Sequence, residues 1–223
     1  MQFLYHENAS QNKIIIQNEL YKYIFKIRRH KLGESIALRN LKDDFIYFYK
    51  IESISKKEAL FVLQSKQKMV IAPNKHLHIG WCIIDTKIIE KTLPMLNEMG
   101  VGKISFIYCD RSQKNFKINL ERLKKILVNS SQQCGRSKMM EIEILKSLKE
   151  YFKRYPKSAI LDFGGKSIDN REIDSIVIGC EGGFSESEKE QFEDKKCYSF
   201  DTAMILKSES ATVAITAIKE LMT

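Results

Sequence analysis

The residues best suited to hold a small ligand lie near the C-terminus, from Ile176 to Glu188. Ile176-Val177-Ile178 is an apolar run suited to a buried strand, and it leads into Gly179-Cys180-Glu181-Gly182-Gly183-Phe184. Paired glycines let a backbone approach a ligand closely. Ser185 and Glu188 then have the spacing of a capping box, so a helix should start there. An ordinary strand-to-helix turn fits the glycines equally well, and on that motif alone both readings stand. A second segment, Met204-Ile205-Leu206-Lys207-Ser208-Glu209-Ser210-Ala211, joins an apolar approach to a helix start, with Ser208 as the expected cap and Glu209 in the first turn. No Gly-x-x-x-x-Gly-Lys-Ser/Thr occurs, and no Gly-x-Gly-x-x-Gly follows the first strand of the α/β region, so neither common nucleotide loop is indicated. His76 and His78 would share one face of a strand, but no third ligand stands nearby and no metal site is expected. The five cysteines, Cys82, Cys109, Cys134, Cys180 and Cys197, are scattered without a Cys-x-x-Cys pair and are expected as reduced structural thiols.

These segments need elements to position them. From Lys13 to Gln64, short β-rich runs (13–16, 35–38, 45–51 and 59–63) alternate with polar turns, which suggests a small barrel. Residues 19–27 fit a short helix ending in the basic cluster Arg28-Arg29-His30-Lys31, and Gly33 supplies a turn. The polar stretch from Ser65 to Lys75 divides the chain into domains expected at 1–68 and 69–223. Beyond it the rhythm is strand then helix. Strands are expected at 77–84, 104–108, 158–163, 175–178 and near 197–200. Helices are expected from Thr86 to Met99, closed by Gly100, then along Phe116, Leu120, Leu123 and Leu127, over 145–153, and from Ser208 to Leu221. Continuous apolar strands alternating with helices predict a parallel sheet covered on both faces. Trp81, Phe106 and Tyr108 fall in strands and read as core.

The net charge is +9, and it is uneven. Residues 1–74 hold 13 Lys/Arg against 7 Asp/Glu, whereas 75–223 hold 24 against 21. Such a field favours a polyanionic partner or an anionic membrane. No apolar run is long enough to span a bilayer and no signal-peptide pattern opens the chain, so a cytoplasmic protein without a membrane partner is expected.

The two C-terminal segments, in this order, resemble the signature pair of the ribosomal RNA small-subunit methyltransferase E family, within the SPOUT class. There the first usually reads Ile-Gly-Pro-Glu-Gly-Gly-Phe and the second Ile-Leu-Arg-Thr-Glu-Thr-Ala. Asn97-Glu98-Met99-Gly100-Val101 is similar to the family's Glu-Leu-Gly-Val turn, Arg111-Ser112 to its Arg-Ser pair, and Gln132-Gln133-Cys134-Gly135-Arg136 to its Glu-Gln-Ser/Cys-x-Arg. Phe25-Lys26-Ile27-Arg28 with Gly33 resembles an element of its PUA-like barrel. Cys180 departs from the usual Pro, Lys207 from Arg, Ser208 and Ser210 from Thr, and Asp201-Thr202 from Leu-Gly. Lysine keeps the charge of arginine but loses its planar fork.

The resemblance implies an α/β chain: an N-terminal PUA-like β-barrel followed by a SPOUT domain with a C-terminal trefoil knot. It implies methylation of N3 of a uridine in 16S ribosomal RNA, with S-adenosylmethionine as cofactor and a homodimer as the working form. The cofactor residues would be Leu161, Phe163, Gly164, Ile178, Gly179, Glu181, Gly182, Gly183, Phe184, Ile205, Leu206, Lys207 and Ser208. Arg136 and Glu209 are the catalytic candidates, and Arg28, Arg29, Lys31 and Arg111 the candidates for RNA contact. Two other readings stay open: a non-catalytic RNA-binding or ribosome-assembly protein on the same fold, and a SPOUT methyltransferase for another RNA.

Overall fold

A computed structural model describes residues 3–113, 115–168 and 173–222. The chain divides into two compact units, one formed by residues 1–72 and 128–139, the other by 73–127 and 140–223.

The first unit is an open five-stranded sheet in the order β1-β3-β4-β5-β2: β1 (Leu4–Tyr5), β2 (Lys13–Gln17), β3 (Ser35–Arg39), β4 (Phe45–Ile54) and β5 (Glu58–Lys68). β1 pairs parallel with β3, and the other pairs are antiparallel. Side chains alternate across a strand, so Ile14 and Ile16 of β2 turn inward while Lys13, Ile15 and Gln17 face out. They meet Leu38, Tyr49, Ile51 and Phe61 in one core, capped by α1 (Asn18–Lys22) and a π-helical turn, Tyr23–Ile27, that buries Ile24. Within the polar stretch read as the domain boundary, β5 runs on from Ser65 to Lys68, with Phe45 opposite Lys68. All four residues are exposed, so no alternation marks them as strand. Arg39 is 1% exposed, and its guanidinium donates to Met69 O (2.8 Å) and Ser137 Oγ (3.2 Å). It thereby fastens residues 128–139 to this sheet.

The second unit holds a six-stranded parallel sheet in the order β11-β9-β10-β6-β7-β8. Its strands are β6 (His78–Cys82), β7 (Lys103–Ile107), β8 (Glu141–Leu145), β9 (Ala159–Ser167), β10 (Ser175–Ile178) and β11 (Cys197–Ser199). α2 (Thr86–Met99) is capped by the Asp85 carboxylate and closes at Gly100, whose φ of 108° is readily adopted only by glycine. α3 (Leu120–Cys134), α4 (Leu148–Arg154), α5 (Glu186–Lys189) and α6 (Ser208–Glu220) complete it, with residues of α3 from Val128 onward assigned to the first unit. β6 is buried at every position, as a central parallel strand should be. β8 has no counterpart in the sequence reading. It is an edge strand, and its Glu-Ile-Glu-Ile alternation lacks the continuous apolar run of its neighbours.

The expectation for two of the cysteines is overturned. Cys82 and Cys109, expected as reduced thiols, form a disulfide with Cα atoms 5.7 Å apart. The register of β6 and β7 places Cys82 opposite Ile107, so residues 27 apart in sequence emerge side by side at the strand ends. Cys134, Cys180 and Cys197 take part in no disulfide among the described residues. Among the described residues no helix is long and apolar enough to cross a membrane.

Candidate functional site

The chain builds β6, β7 and β8 outward in one direction, then crosses to lay β9, β10 and β11 on the other side of β6. In parallel sheets such a reversal leaves a crevice at the carboxyl ends of the strands. A cleft of about 700 Å³ lies there, a size typical of a small-molecule site. Three segments wall it: Leu161–Phe163 on β9, Ile178–Phe184 from the end of β10, and Met204–Ser208 running into the first residue of α6, with Ser199, Phe200 and Thr202 beside them. Of the residues expected to hold a cofactor, all but Gly164 line this cleft. Gly164 is adjacent, with φ 76° and open space where a side chain would stand.

Local chemistry shapes each wall. After Ile178 the chain turns tightly, with Gly183 N–H donating to Cys180 O (2.9 Å) and Gly183 at φ 68°. The Cys180 thiol lies 3.6 Å from Gly183 O, and burial pushes its pKa up. Phe184 is buried edge-on against Phe192 and anchors the end of the turn. The capping box forms as its spacing predicts: Ser185 Oγ accepts from Glu188 N–H, and the Glu188 carboxylate accepts from Ser185 N–H. Glu188 itself is 3% exposed.

Ser208 is not the cap of α6. Lys207 takes that position, and the Ser208 hydroxyl instead donates to Gly179 O (2.6 Å) and accepts from the Trp81 indole N–H (2.9 Å). One hydroxyl thus ties β6, the glycine loop and α6 together. Trp81 was read simply as core. Its apolar neighbours conceal an indole donor that finds its acceptor 127 residues away.

Glu209 follows in the first turn of α6, and one of its carboxylate oxygens is enclosed without a hydrogen-bond partner among the described residues. Arg111 lines the cleft and donates to Gly182 O at 2.6 Å. Arg136 belongs to the first unit, is 7% exposed, and donates through Nε to Lys138 O. Arg28, Arg29 and Lys31 are exposed on the loop that follows the π-helical turn. There the Arg28 guanidinium lies over the Tyr23 ring at 5.4 Å and donates to its hydroxyl. The sequence reading did not single out Lys189 and Phe200 as cleft residues. No local motif distinguishes them from loop residues.

S-adenosylmethionine combines an adenosine, a sulfonium and an amino-acid carboxylate. A crevice with backbone-lined walls, apolar side chains (Phe163, Ile205, Leu206) and both acidic and basic groups (Asp162, Glu181, Lys207) fits such a ligand.

Comparison with known proteins agrees with this architecture. Residues 72–220 match an RNA methyltransferase domain, and 16–64 match an RNA methyltransferase PUA domain. The chain is 42% identical to ribosomal RNA small subunit methyltransferase E of Helicobacter pylori strain J99, over 99% of this chain and 100% of that one. It is 24% identical to the protein of the same name from Aquifex aeolicus, over 98% of each. The structure of ribosomal RNA small subunit methyltransferase E from Neisseria gonorrhoeae, bound to S-adenosylmethionine, superimposes with a TM-score of 0.80 at 18% identity, covering 97% of this chain and 95% of that one. At that identity the likeness speaks for the fold. On the strength of its whole-length identity and both domain matches, the chain belongs to the ribosomal RNA small subunit methyltransferase E family.

Proposed function

We propose that the protein transfers a methyl group from S-adenosylmethionine to N3 of a uridine in the 16S RNA of the small ribosomal subunit. The observation that carries this reading is the cleft itself. Three segments distant in sequence, including both that carry the family's signature, converge on one crevice of suitable size.

Bound in the cleft, the cofactor supplies an electrophilic methyl group. The chain's part is to hold and orient. Ile178–Phe184 and Ile205–Ser208 present backbone groups to the nucleoside, which explains how side chains such as Cys180 and Lys207 can depart from the family's usual residues. Orientation of donor and acceptor provides most of the acceleration in such transfers. N3 lies on the pairing edge of uracil, so the target base must be unpaired or turned out of its stack. Loss of the N3 proton to solvent leaves an anion, and we assign Arg136 to its stabilisation or to holding an RNA phosphate. Glu209, with its enclosed unpaired oxygen, is assigned to a polar contact with the base or the cofactor. Arg28, Arg29 and Lys31 are assigned to phosphates of the RNA.

We further propose a homodimer carrying the threaded C-terminal knot of the SPOUT class, acting in the cytoplasm. Phe163, Met204 and Ile205 support a dimer, since they are 76, 74 and 80% exposed and a covering surface would bury them.

The test is direct. Purified protein is incubated with radiolabelled S-adenosylmethionine and small subunits lacking the modification, and the RNA is digested to nucleosides. Labelled 3-methyluridine is expected. Label in another nucleoside, or only in another RNA, would replace the substrate assignment.

A further inference from the structure

We infer that Asp110 is a positioning residue for the cofactor loop, and that with Arg111 it forms a clamp holding Gly182–Glu188 in ligand-receiving shape. The inference rests on the reading of the cleft as an S-adenosylmethionine site.

The clamp grips the loop at both ends. At the glycine end, Arg111 Nη1 donates to Gly182 O at 2.6 Å, and its aliphatic stem lies against the Gly182 backbone. A side-chain carbon at 182 would stand 3.4 Å from Arg111 Cδ and 3.5 Å from Cβ, ordinary van der Waals contact, which shows how closely the arginine stem lies along this backbone. At the helix end, Asp110 Oδ2 accepts from both Ser185 Oγ (2.5 Å) and Ser187 Oγ (2.9 Å). The Asp110 backbone N–H donates to Glu188 Oε1 at 3.0 Å, while Glu188 Oε2 accepts from Ser185 N–H at 3.0 Å. The buried Glu188 carboxylate therefore gives one oxygen to the clamp and one to its own helix start. A carboxylate only 3% exposed needs a hydrogen-bond donor for each oxygen, and each has one here.

The base of the clamp is itself fixed. Cys109 is bonded to Cys82 at the end of β6, and the turn closes through Ser112 N–H to Cys109 O and Cys109 N–H to Ser112 Oγ. The gripped loop, by contrast, contains two adjacent glycines and a positive φ at Gly183, so its own backbone offers many conformations. A loop of this kind loses entropy on binding unless it is held beforehand. The clamp supplies that restraint from the turn after β7, a strand separated from β10 by β6. The Asp110 carboxylate is occupied by the two serine hydroxyls and does not line the cleft, so its effect on the reaction runs through the loop.

The full chain with Asp110→Ala and Asp110→Asn is titrated with S-adenosylmethionine by calorimetry, and KM and kcat are measured on small subunits. Asp110→Ala is expected to weaken cofactor binding and raise its KM roughly tenfold, with kcat at saturating cofactor changed less than about twofold. Asp110→Asn, which keeps an acceptor for the serines, should recover part of the loss. Wild-type affinity in a folded Asp110→Ala protein, or a loss confined to kcat, overturns the clamp. Heat unfolding without cofactor reports folding. Should Asp110→Ala not fold, Ser187→Ala removes one hydroxyl at the exposed edge and must itself weaken binding. Wild-type protein that binds no cofactor refutes the site reading and the clamp together, whereas normal wild-type binding with an indifferent variant refutes the clamp alone.

Discussion

Single residues at the cleft carry several contacts each, and not all were equally legible. The Ser185–Glu188 capping box could be read from spacing because both partners lie within one turn. The role of Ser208 could not, since its hydroxyl serves Trp81 and Gly179, residues 127 and 29 positions away. Ser208→Ala removes the acceptor of a buried indole N–H and the donor to a carbonyl. It should cost about 1–3 kcal/mol in denaturant unfolding, and Ser208→Thr should cost much less because the hydroxyl persists. An Ala variant as stable as the parent would show that this hydroxyl does not join the three elements. Gly165 was equally silent in the sequence. A Cβ there would stand 2.5 Å from the Tyr198 backbone, so the glycine is required by the close passage of β9 and β11.

At the scale of elements, strands and helices with continuous or helical periodicity were legible, and α2 and β10 fall at their expected bounds. β8 was missed because an edge strand alternates, and residues 65–68 of β5 because both faces are wet. Alternation also hid a polar network at the amino ends of the parallel strands. Ser105 donates to Glu143 (2.7 Å), so His78 Nε2, 2.8 Å from Ser105 Oγ, must be the N–H, while Nδ1 faces Ser175 Oγ. Tyr151 and Tyr155 pack against the ring. Burial, aided by the nearby Lys103 charge and opposed by Glu143, pushes His78 down to about 4 from its ordinary 6.5. Burial also opposes the Glu143 charge, but hydrogen bonds from Tyr155, Ser105 and Lys103 outweigh it and bring that carboxyl to about 2. The signs agree. Between pH 6.5 and 4 the unfolded chain protonates His78 while the folded chain does not, so stability falls with pH, and Glu143 adds its own loss from about 4.5 to 2. Between pH 7 and 5 the histidine alone should account for roughly 2 kcal/mol. Unfolding of wild type and His78→Gln across that range checks it. The variant, having nothing to titrate there, should show the flatter profile, and parallel profiles would remove His78 as the cause.

For the whole molecule, charge was more legible than assembly. Composition alone located the basic excess in residues 1–74, but it could not show that residues 128–139 pack with them, because Arg39 and Ser137 meet across 98 positions. In the proposed function that excess makes binding to ribosomal RNA depend on counterion release. Each phosphate contact contributes about 0.7–0.9 to the slope of log affinity against log salt. Arg28, Arg29 and Lys31 are exposed, so their replacement by glutamine should cost little heat stability beyond the surface contact of Arg28 with Tyr23. If all three meet phosphates, the triple variant should lose about 2 to 3 from the slope on small-subunit RNA. Its affinity for S-adenosylmethionine should stay that of the parent, since every wall of the cleft belongs to the other unit. Filter binding at several salt concentrations, paired with calorimetry for the cofactor, reads both quantities. An unchanged slope would move the phosphate contacts away from this loop, whereas a weakened cofactor affinity would mean that the two units do not divide their tasks in this way.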